Sequence, residues 1–351
     1  MFRISGEKFN TLLKQVRHPD KIINDLGMRV GYLLKLKHLP FLPSSLEVEP
    51  INSCNFRCPH CQVTHWDKEA LKLKIDRFEA ILKQLPKLIW VKLQGMGEPL
   101  LNRELIPMLE LGESKNIKMS LTTNGSLLSG KAAHSLADLT NTSINVSIDG
   151  ASAQTFEQIR VGGKFDVVCK NIKEFMNLVD HKNKSNINAW MVLTKRNFHE
   201  ADDVVKLVKE LGLKSLTLQI FINDWGKDDL SEYADSISLV SDESFSKQLN
   251  QVLSQVKETA AKEDVDLRVF DGDFYTESNI CSWPWKSSYI CSNGDVVPCC
   301  MLADSDTVKM GNVFEEDFKD IWNSEKYQDF RVRHIKHDLP SYCQHCYTDV
   351  S

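Results

Sequence analysis

The sequence predicts an α/β fold built on a parallel sheet, with a small cysteine-rich α+β appendage at its C-terminal end. Two observations predict it. From residue 45 to about 225, short β-rich runs alternate with segments of helical periodicity, the pattern of repeated βαβ units. Past residue 264 the alternation stops, and six of the ten cysteines fall in what remains.

Taken in order, residues 1–44 read as a helical cap with Lys and Arg in excess, closing at Leu39-Pro40-Phe41-Leu42-Pro43. Strand-like runs follow at 46–51, 88–94, 117–122, 143–148, 187–193 and 215–222. Between and after them, helical periodicity covers 75–85, 102–115, 129–138, 165–180, 199–211 and 242–263. In the appendage, the stretch from Ser288 to Val297 reads as a β-hairpin turning at Asn293-Gly294, and a helix runs from Phe314 to about Arg333. Three units are expected: 1–44, 45–264 and 265–351.

A chain of 351 residues, 42% of them hydrophobic, can bury one large core and still carry an appendage. A net charge of −5 creates no whole-protein field toward nucleic acid. No run approaches the roughly 18 apolar residues of a membrane span, and no signal-like core opens the chain. The expectation is a cytoplasmic protein whose clustered cysteines are reduced metal ligands rather than disulfides.

The decisive motif is Cys54-Asn55-Phe56-Arg57-Cys58-Pro59-His60-Cys61, directly after the first strand. Three thiolates on one short loop bind three irons of a [4Fe–4S] cube and leave the fourth iron open to a small chelating molecule. A structural zinc site wants four protein ligands and a closed shell, so half of a zinc site is the competing reading.

This loop resembles the cluster loop of the radical S-adenosylmethionine (radical SAM) superfamily. The resemblance implies a partial (β/α)6 TIM-like barrel, open on one side, with its chemistry at the C-terminal strand ends. It implies that SAM chelates the open iron, and that reductive cleavage of SAM gives a 5′-deoxyadenosyl radical that abstracts hydrogen from a substrate. His60 then stands where the family places an aromatic residue against adenine. Gly97 and Glu98 match the element that holds the SAM amino group, although Met96 replaces a family glycine. Thr123 and Asn124 end the third strand on the same rim. Ser147 and Asp149, at the end of the fourth, match positions of ribose or carboxylate contacts. Arg160 is a candidate for the SAM carboxylate, with a surface arginine as the competing reading. Leu193 and Thr194 are candidate adenine contacts. Turn chemistry alone would also account for the Asn-Gly and Asp-Gly strand ends.

Cys281, Cys299, Cys343 and Cys346 form a second set, spaced C-x17-C and C-x2-C, with Gly294 opening a Gly-x4-Cys unit. Their spacing resembles the SPASM/twitch appendage of radical SAM enzymes and implies one auxiliary [4Fe–4S] cluster with four protein ligands. A zinc ribbon is the competing reading, and Cys300 is an alternative to Cys299 as ligand. With Ser351 as the last residue, a second auxiliary cluster would have no ligands. The implied cofactors are two [4Fe–4S] clusters and SAM, served by an external donor of flavodoxin or ferredoxin type. The expected substrate is a small molecule such as a sugar or aminocyclitol, oxidised by two electrons overall. Maturation of a ribosomally made peptide is the alternative, and a non-catalytic iron–sulfur or zinc scaffold the second alternative. Asp224 and Asp273 are candidate proton acceptors and Cys291 a candidate hydrogen donor. Solvated loop acids are the competing reading of the two aspartates.

Overall fold

The computed structural model of the chain describes residues 18–240, 243–271, 275–276 and 278–347. Helix α1 (Pro19–Leu33) leads into β1 (Ser45–Val48), α2 (Ile75–Gln84), β2 (Trp90–Leu93), α3 (Leu105–Ser114), β3 (Lys118–Thr123), α4 (Gly130–Ala137) and β4 (Thr142–Ser147). Then come α5 (Ala153–Ile159), α6 (Phe165–Leu178), β5 (Ile187–Val192), α7 (Ala201–Glu210), β6 (Ser215–Gln219), α8 (Asp228–Ile237), α9 (Glu243–Glu263) and β7 (Asp266–Phe270). Strands β1 to β7 lie side by side in chain order, each parallel to the next.

The helices cover one face of this sheet because their apolar residues recur at helical spacing. In α7, Ala201, Val204, Val205 and Val208 are all buried, at i, i+3, i+4 and i+7. They belong to the same buried core as the strand residues Val91, Leu93, Leu121 and Val146, none of which is exposed. The other face of the strands, turned to the barrel interior, is polar. Glu47 and Lys92 are partners across β1 and β2, and Thr122 sits opposite Asn145 across β3 and β4. Alternation along each strand thus separates a greasy outer layer from a polar hollow.

Strand β7 is one parallel strand more than the sequence alternation predicts. Its five residues alternate in polarity and remain half-exposed at the sheet edge, so they carry a weak apolar signal. The short helices α5 and α8 were likewise absent from the sequence reading.

The appendage extends the same sheet from the β1 edge. Strand β8 (Tyr289–Ile290) pairs parallel with β1, β9 (Asp295–Val297) antiparallel with β8, and β10 (Gly311–Asn312) antiparallel with β9. The predicted hairpin is β8–β9, with Gly294 at φ +89°, a conformation that favours glycine. A short helix α10 (Trp283–Lys286) precedes the hairpin, and the helix predicted from Phe314 is instead two helices, α11 (Phe318–Trp322) and α12 (Glu325–Lys336). They break at Asn323-Ser324, where the Ser324 hydroxyl caps α12 by accepting from Tyr327 N at 3.3 Å.

Buried polar groups fasten the appendage to the barrel. Glu49, 3% exposed, accepts hydrogen bonds from Ser292 N at 3.1 Å, Ser292 Oγ at 3.0 Å and Tyr289 Oη at 3.3 Å. Arg331, fully buried, lies 4.5 Å from the Trp322 ring and 5.0 Å from that of Tyr327. Its guanidinium donates to Pro284 O at 2.8 Å and to Lys37 O at 2.9 Å. The segment after α1 is therefore held by the C-terminal unit, an attachment reinforced where Tyr32 Oη donates to Ile280 O at 2.6 Å.

Candidate active site

The cluster loop leaves the C-terminal end of β1 and folds over the barrel mouth. Its path is fixed by close backbone packing. A Cβ at Gly97 would lie 2.3 Å from Ile51 O and 2.5 Å from Ser53 O, so only glycine lets the loop after β2 pass beneath it. Glu98, 2% exposed, then ties the loop after β2 to the end of β3. Its carboxylate accepts from Thr123 Oγ1 at 2.6 Å, Asn124 N at 2.7 Å and Leu100 N at 3.1 Å. Burial raises its pKa, and these donors oppose the rise.

A cavity of about 440 Å³ opens beneath the loop. Cys54, Cys58, Cys61, His60, Gly97, Glu98, Thr123, Asn124, Ser147 and Arg160 line it, bringing together residues from four strand ends and the C-terminus of α5. Asn124 Nδ2 lies 3.8 Å from Cys54 Sγ, and Arg160 Nη1 3.9 Å from Cys58 Sγ. Arg160 is buried rather than a surface residue, and its Nε stands 2.5 Å from Asp149 Oδ2. Asp149, fully buried, also accepts from Val192 N at 2.8 Å, so it positions Arg160 from behind the cavity wall. His60 packs near this pair, and burial pulls its pKa down to about 4, leaving a neutral ring.

Two candidates fall elsewhere. Leu193 is fully buried in the apolar core, and Val192 lines the cavity in its place. Thr194 is buried too, its amide donating to Asn197 Oδ1 at 2.7 Å. Asn197, which the sequence reading missed, braces this strand end by donating to Asp149 O at 3.0 Å and Val192 O at 2.9 Å.

The second cysteine set lines the same cavity. Cys281, Cys299, Cys343 and Cys346 stand in its wall with Cys300. After burial itself, the charges of Cys281 and Cys346 act most on the Cys299 thiol, and those of Cys299, Cys281 and Cys346 on Cys343. The Cys300 thiol instead responds first to Glu47. Cys299 thus lies within electrostatic reach of the other three cysteines, and Cys300 within reach of Glu47 and Lys92 on β1 and β2.

Two of the candidate catalytic groups, Asp224 and Cys291, do not line this cavity. Asp224 forms an ion pair with His345 and accepts from Gly226 N at 2.9 Å, a brace between the loop after β6 and the C-terminal unit. Cys291 is buried in a satellite core with Val63, Met96, Val297 and Leu302. Asp273 lies outside the described residues.

The donor sets suit iron–sulfur clusters. Burial pushes the Cys61 thiol up to about 12, so a bound cationic centre is what would hold it as thiolate. Among the described residues, no three His, Cys, Asp or Glu side chains converge as they would on a single ion.

Comparison with known proteins agrees. The Radical SAM superfamily model matches residues 48–208, and the SPASM iron-sulfur cluster-binding domain model matches residues 281–347. The chain is a radical SAM protein with a C-terminal SPASM domain. Its cofactors are accordingly a SAM-binding [4Fe–4S] cluster, SAM and auxiliary iron–sulfur chemistry in the SPASM domain. This radical SAM protein is 24% identical over 323 residues to the tungsten-containing aldehyde ferredoxin oxidoreductase cofactor-modifying protein of Pyrococcus furiosus, covering 86% of each chain. It is 27% identical over 329 residues to the AdoMet-dependent heme synthase of Methanosarcina barkeri, covering 87% of this chain and 88% of that one. Among solved structures, Streptococcus suis SuiB bound to S-adenosylmethionine shares the fold at TM-score 0.65 and 20% identity, covering 93% of this chain and 74% of that one. BtrN in complex with AdoMet and 2-DOIA shares it at TM-score 0.55 and 17% identity, covering 86% and 92%. No helix among the described residues is long and apolar enough to cross a membrane.

Proposed function

We propose that this enzyme cleaves SAM reductively at the Cys54–Cys58–Cys61 loop and abstracts hydrogen from a small-molecule substrate, with net two-electron oxidation as the outcome. The observation that carries the proposal is the single cavity walled by both cysteine sets. A substrate seated there lies within reach of the radical source on one side and an electron acceptor on the other. When bound, the first cluster and SAM supply a 5′-deoxyadenosyl radical.

The chain's own residues prepare the site. Cys54, Cys58 and Cys61 hold the first cluster, and Cys281, Cys299, Cys343 and Cys346 the auxiliary one. Glu98, Thr123 and Asn124 form a hydrogen-bonded rim whose remaining acceptor capacity faces the SAM ammonium. Arg160, fixed by Asp149, presents its guanidinium to the SAM carboxylate or a cluster thiolate. His60, neutral, offers a flat face to adenine. Ser147 is a ribose contact. Residues 1–44, 45–264 and 265–351 serve as cap, barrel and auxiliary-cluster unit, and a flavodoxin or ferredoxin type donor feeds the first cluster.

Two relatives that match along most of the chain are named for work on a cofactor and on heme, which favours a small molecule. Peptide modification is the second reading, because the SuiB fold has also been solved bound to precursor peptide SuiA, at TM-score 0.64. The test is 5′-deoxyadenosine release by the reduced, anaerobically reconstituted enzyme, with and without size-fractionated cell extract. Stimulation by the small-molecule fraction supports the proposal. Stimulation by the peptide fraction alone would transfer it to the second reading, and no release with or without extract would defeat both.

A further inference from the structure

Four cationic or potentially cationic side chains line the cavity: His60, Lys92, Arg160 and His334. Three are already committed. Arg160 is paired with Asp149, and burial pulls both His60 and His334 down to about 4, so neither ring is charged near neutrality. Lys92 is different. Its nearest acid is Glu47, at 3.9 Å, beyond hydrogen-bond reach, and no hydrogen bond to its ammonium is found among the described residues.

The pair is nonetheless withdrawn from water, with the Glu47 side chain 7% exposed and that of Lys92 20%. Two opposite charges held this way lose hydration without regaining good hydrogen bonds, an arrangement that costs stability unless another group completes it. Two further polar atoms nearby are also short of partners. Ser120, the register partner of Lys92 on β3, has a buried hydroxyl with no hydrogen bond, and so does the carbonyl oxygen of Gln94, two residues along β2. Lys92, Glu47, Gln94 and Cys300 all border the cavity.

We infer that Lys92 is the anchor for a carboxylate of the substrate, with Glu47 holding its ammonium in place and the side-chain oxygen of Gln94 left to accept from a donor of the same ligand. An ammonium with three unspent donors takes one carboxylate oxygen directly. Glu47 beside it offsets much of the ammonium charge, so the patch cannot balance a dianionic phosphate and accommodates at most one negative charge. The inference rests on the proposed reading that the cavity is the substrate site, and it narrows the substrate to carboxylic acids. Carboxylate-bearing ligands would enter with the acid toward β1 and β2 and the remainder toward the two cysteine sets.

Cys300 supplies a reporter, since its thiol shares this wall and feels both Glu47 and Lys92. The anaerobic holoenzyme is treated with iodoacetate or with iodoacetamide, which differ in charge and little in size, and carboxymethylation or carbamidomethylation of Cys300 is followed by tandem mass spectrometry. The ratio of iodoacetate to iodoacetamide rates falls about tenfold in Lys92→Gln and persists in Lys92→Arg. In the unmodified enzyme, propionate slows iodoacetamide labelling of Cys300 and propionamide does not, a comparison that needs no variant. An unchanged rate ratio in Lys92→Gln, or equal effects of propionate and propionamide, would overturn the anchor. Release of 5′-deoxyadenosine by the unmodified enzyme is scored separately. Release without charge selectivity removes the anchor alone, and selectivity without release removes the radical chemistry alone.

Discussion

Replacing Gly97 with alanine tests how tightly the cluster loop is set. The new Cβ would sit 2.3 Å from Ile51 O, 2.5 Å from Ser53 O and 2.8 Å from Ser53 N. All three are backbone atoms, so no side chain can swing aside. Ordinary contact begins near 3.4 Å, so the loop must rise by roughly 1 Å, carrying Cys54 with it. Overpacking of this kind costs about 1–3 kcal/mol. A 1 Å misplacement of reacting groups costs about a hundredfold in rate. Gly97→Ala should therefore unfold at lower denaturant and release 5′-deoxyadenosine about a hundredfold more slowly. Gly130→Ala is the control. Gly130 has φ +54° and nothing within 4 Å of its Cβ position, so alanine there incurs backbone strain of about 1 kcal/mol with no effect on release. A Gly97→Ala enzyme with unaltered stability and unaltered release would refute the loop argument.

Other outcomes follow from the same contacts. In Glu98→Gln the amide must point its NH2 at one of the groups that now donate to the carboxylate, so stability should fall by about 1–3 kcal/mol in denaturant titrations. Cys299→Ala should lower iron from about eight to about four per chain, whereas Cys300→Ala should leave iron content unchanged, as read by iron and sulfide analysis. Asp304, with a fully buried carboxylate, forms ion pairs with Lys68 and Lys227. Its burial favours the neutral acid, but hydrogen bonds from Lys227 and Lys68 outweigh it and depress the pKa. A depressed carboxylate contributes stability above its unfolded pKa of about 3.9 and loses it as pH falls through the folded value. Asp304→Asn should thus be less stable by about 1–3 kcal/mol at neutral pH, with the gap closing in acid, by thermal denaturation across pH. Arg331→Met should weaken the joint between the cap and the C-terminal unit by about 2–4 kcal/mol, because two buried carbonyls lose their donor.

What could be read from the sequence was what depends on neighbours in the chain. Strands β1 to β6 and their long helices were visible because apolar periodicity is local, and the cluster loop because its three ligands lie within eight residues. Strand β7 was hidden by its half-exposed edge position. Cys299 could not be separated from Cys300 by spacing, since adjacent residues point apart only once the chain is folded. Asp224 looked like a loop acid because its partner, His345, lies 121 residues away. Cys291 gave no sign of its face, and the structure turns it into a satellite core. Glu47 and Lys92 each read as an ordinary polar position of a strand. Only the β1–β2 register, with Cα partners Glu47 and Lys92, brings them together.

The most direct measurement is 5′-deoxyadenosine release from SAM by reduced, anaerobically reconstituted enzyme, beside Cys58→Ala and Cys299→Ala, with iron counted in each. The account predicts release by the unmodified enzyme, none by Cys58→Ala, and continued release by Cys299→Ala with about half the iron. Release by Cys58→Ala at the unmodified rate, or none from unmodified enzyme carrying its full iron, would contradict it.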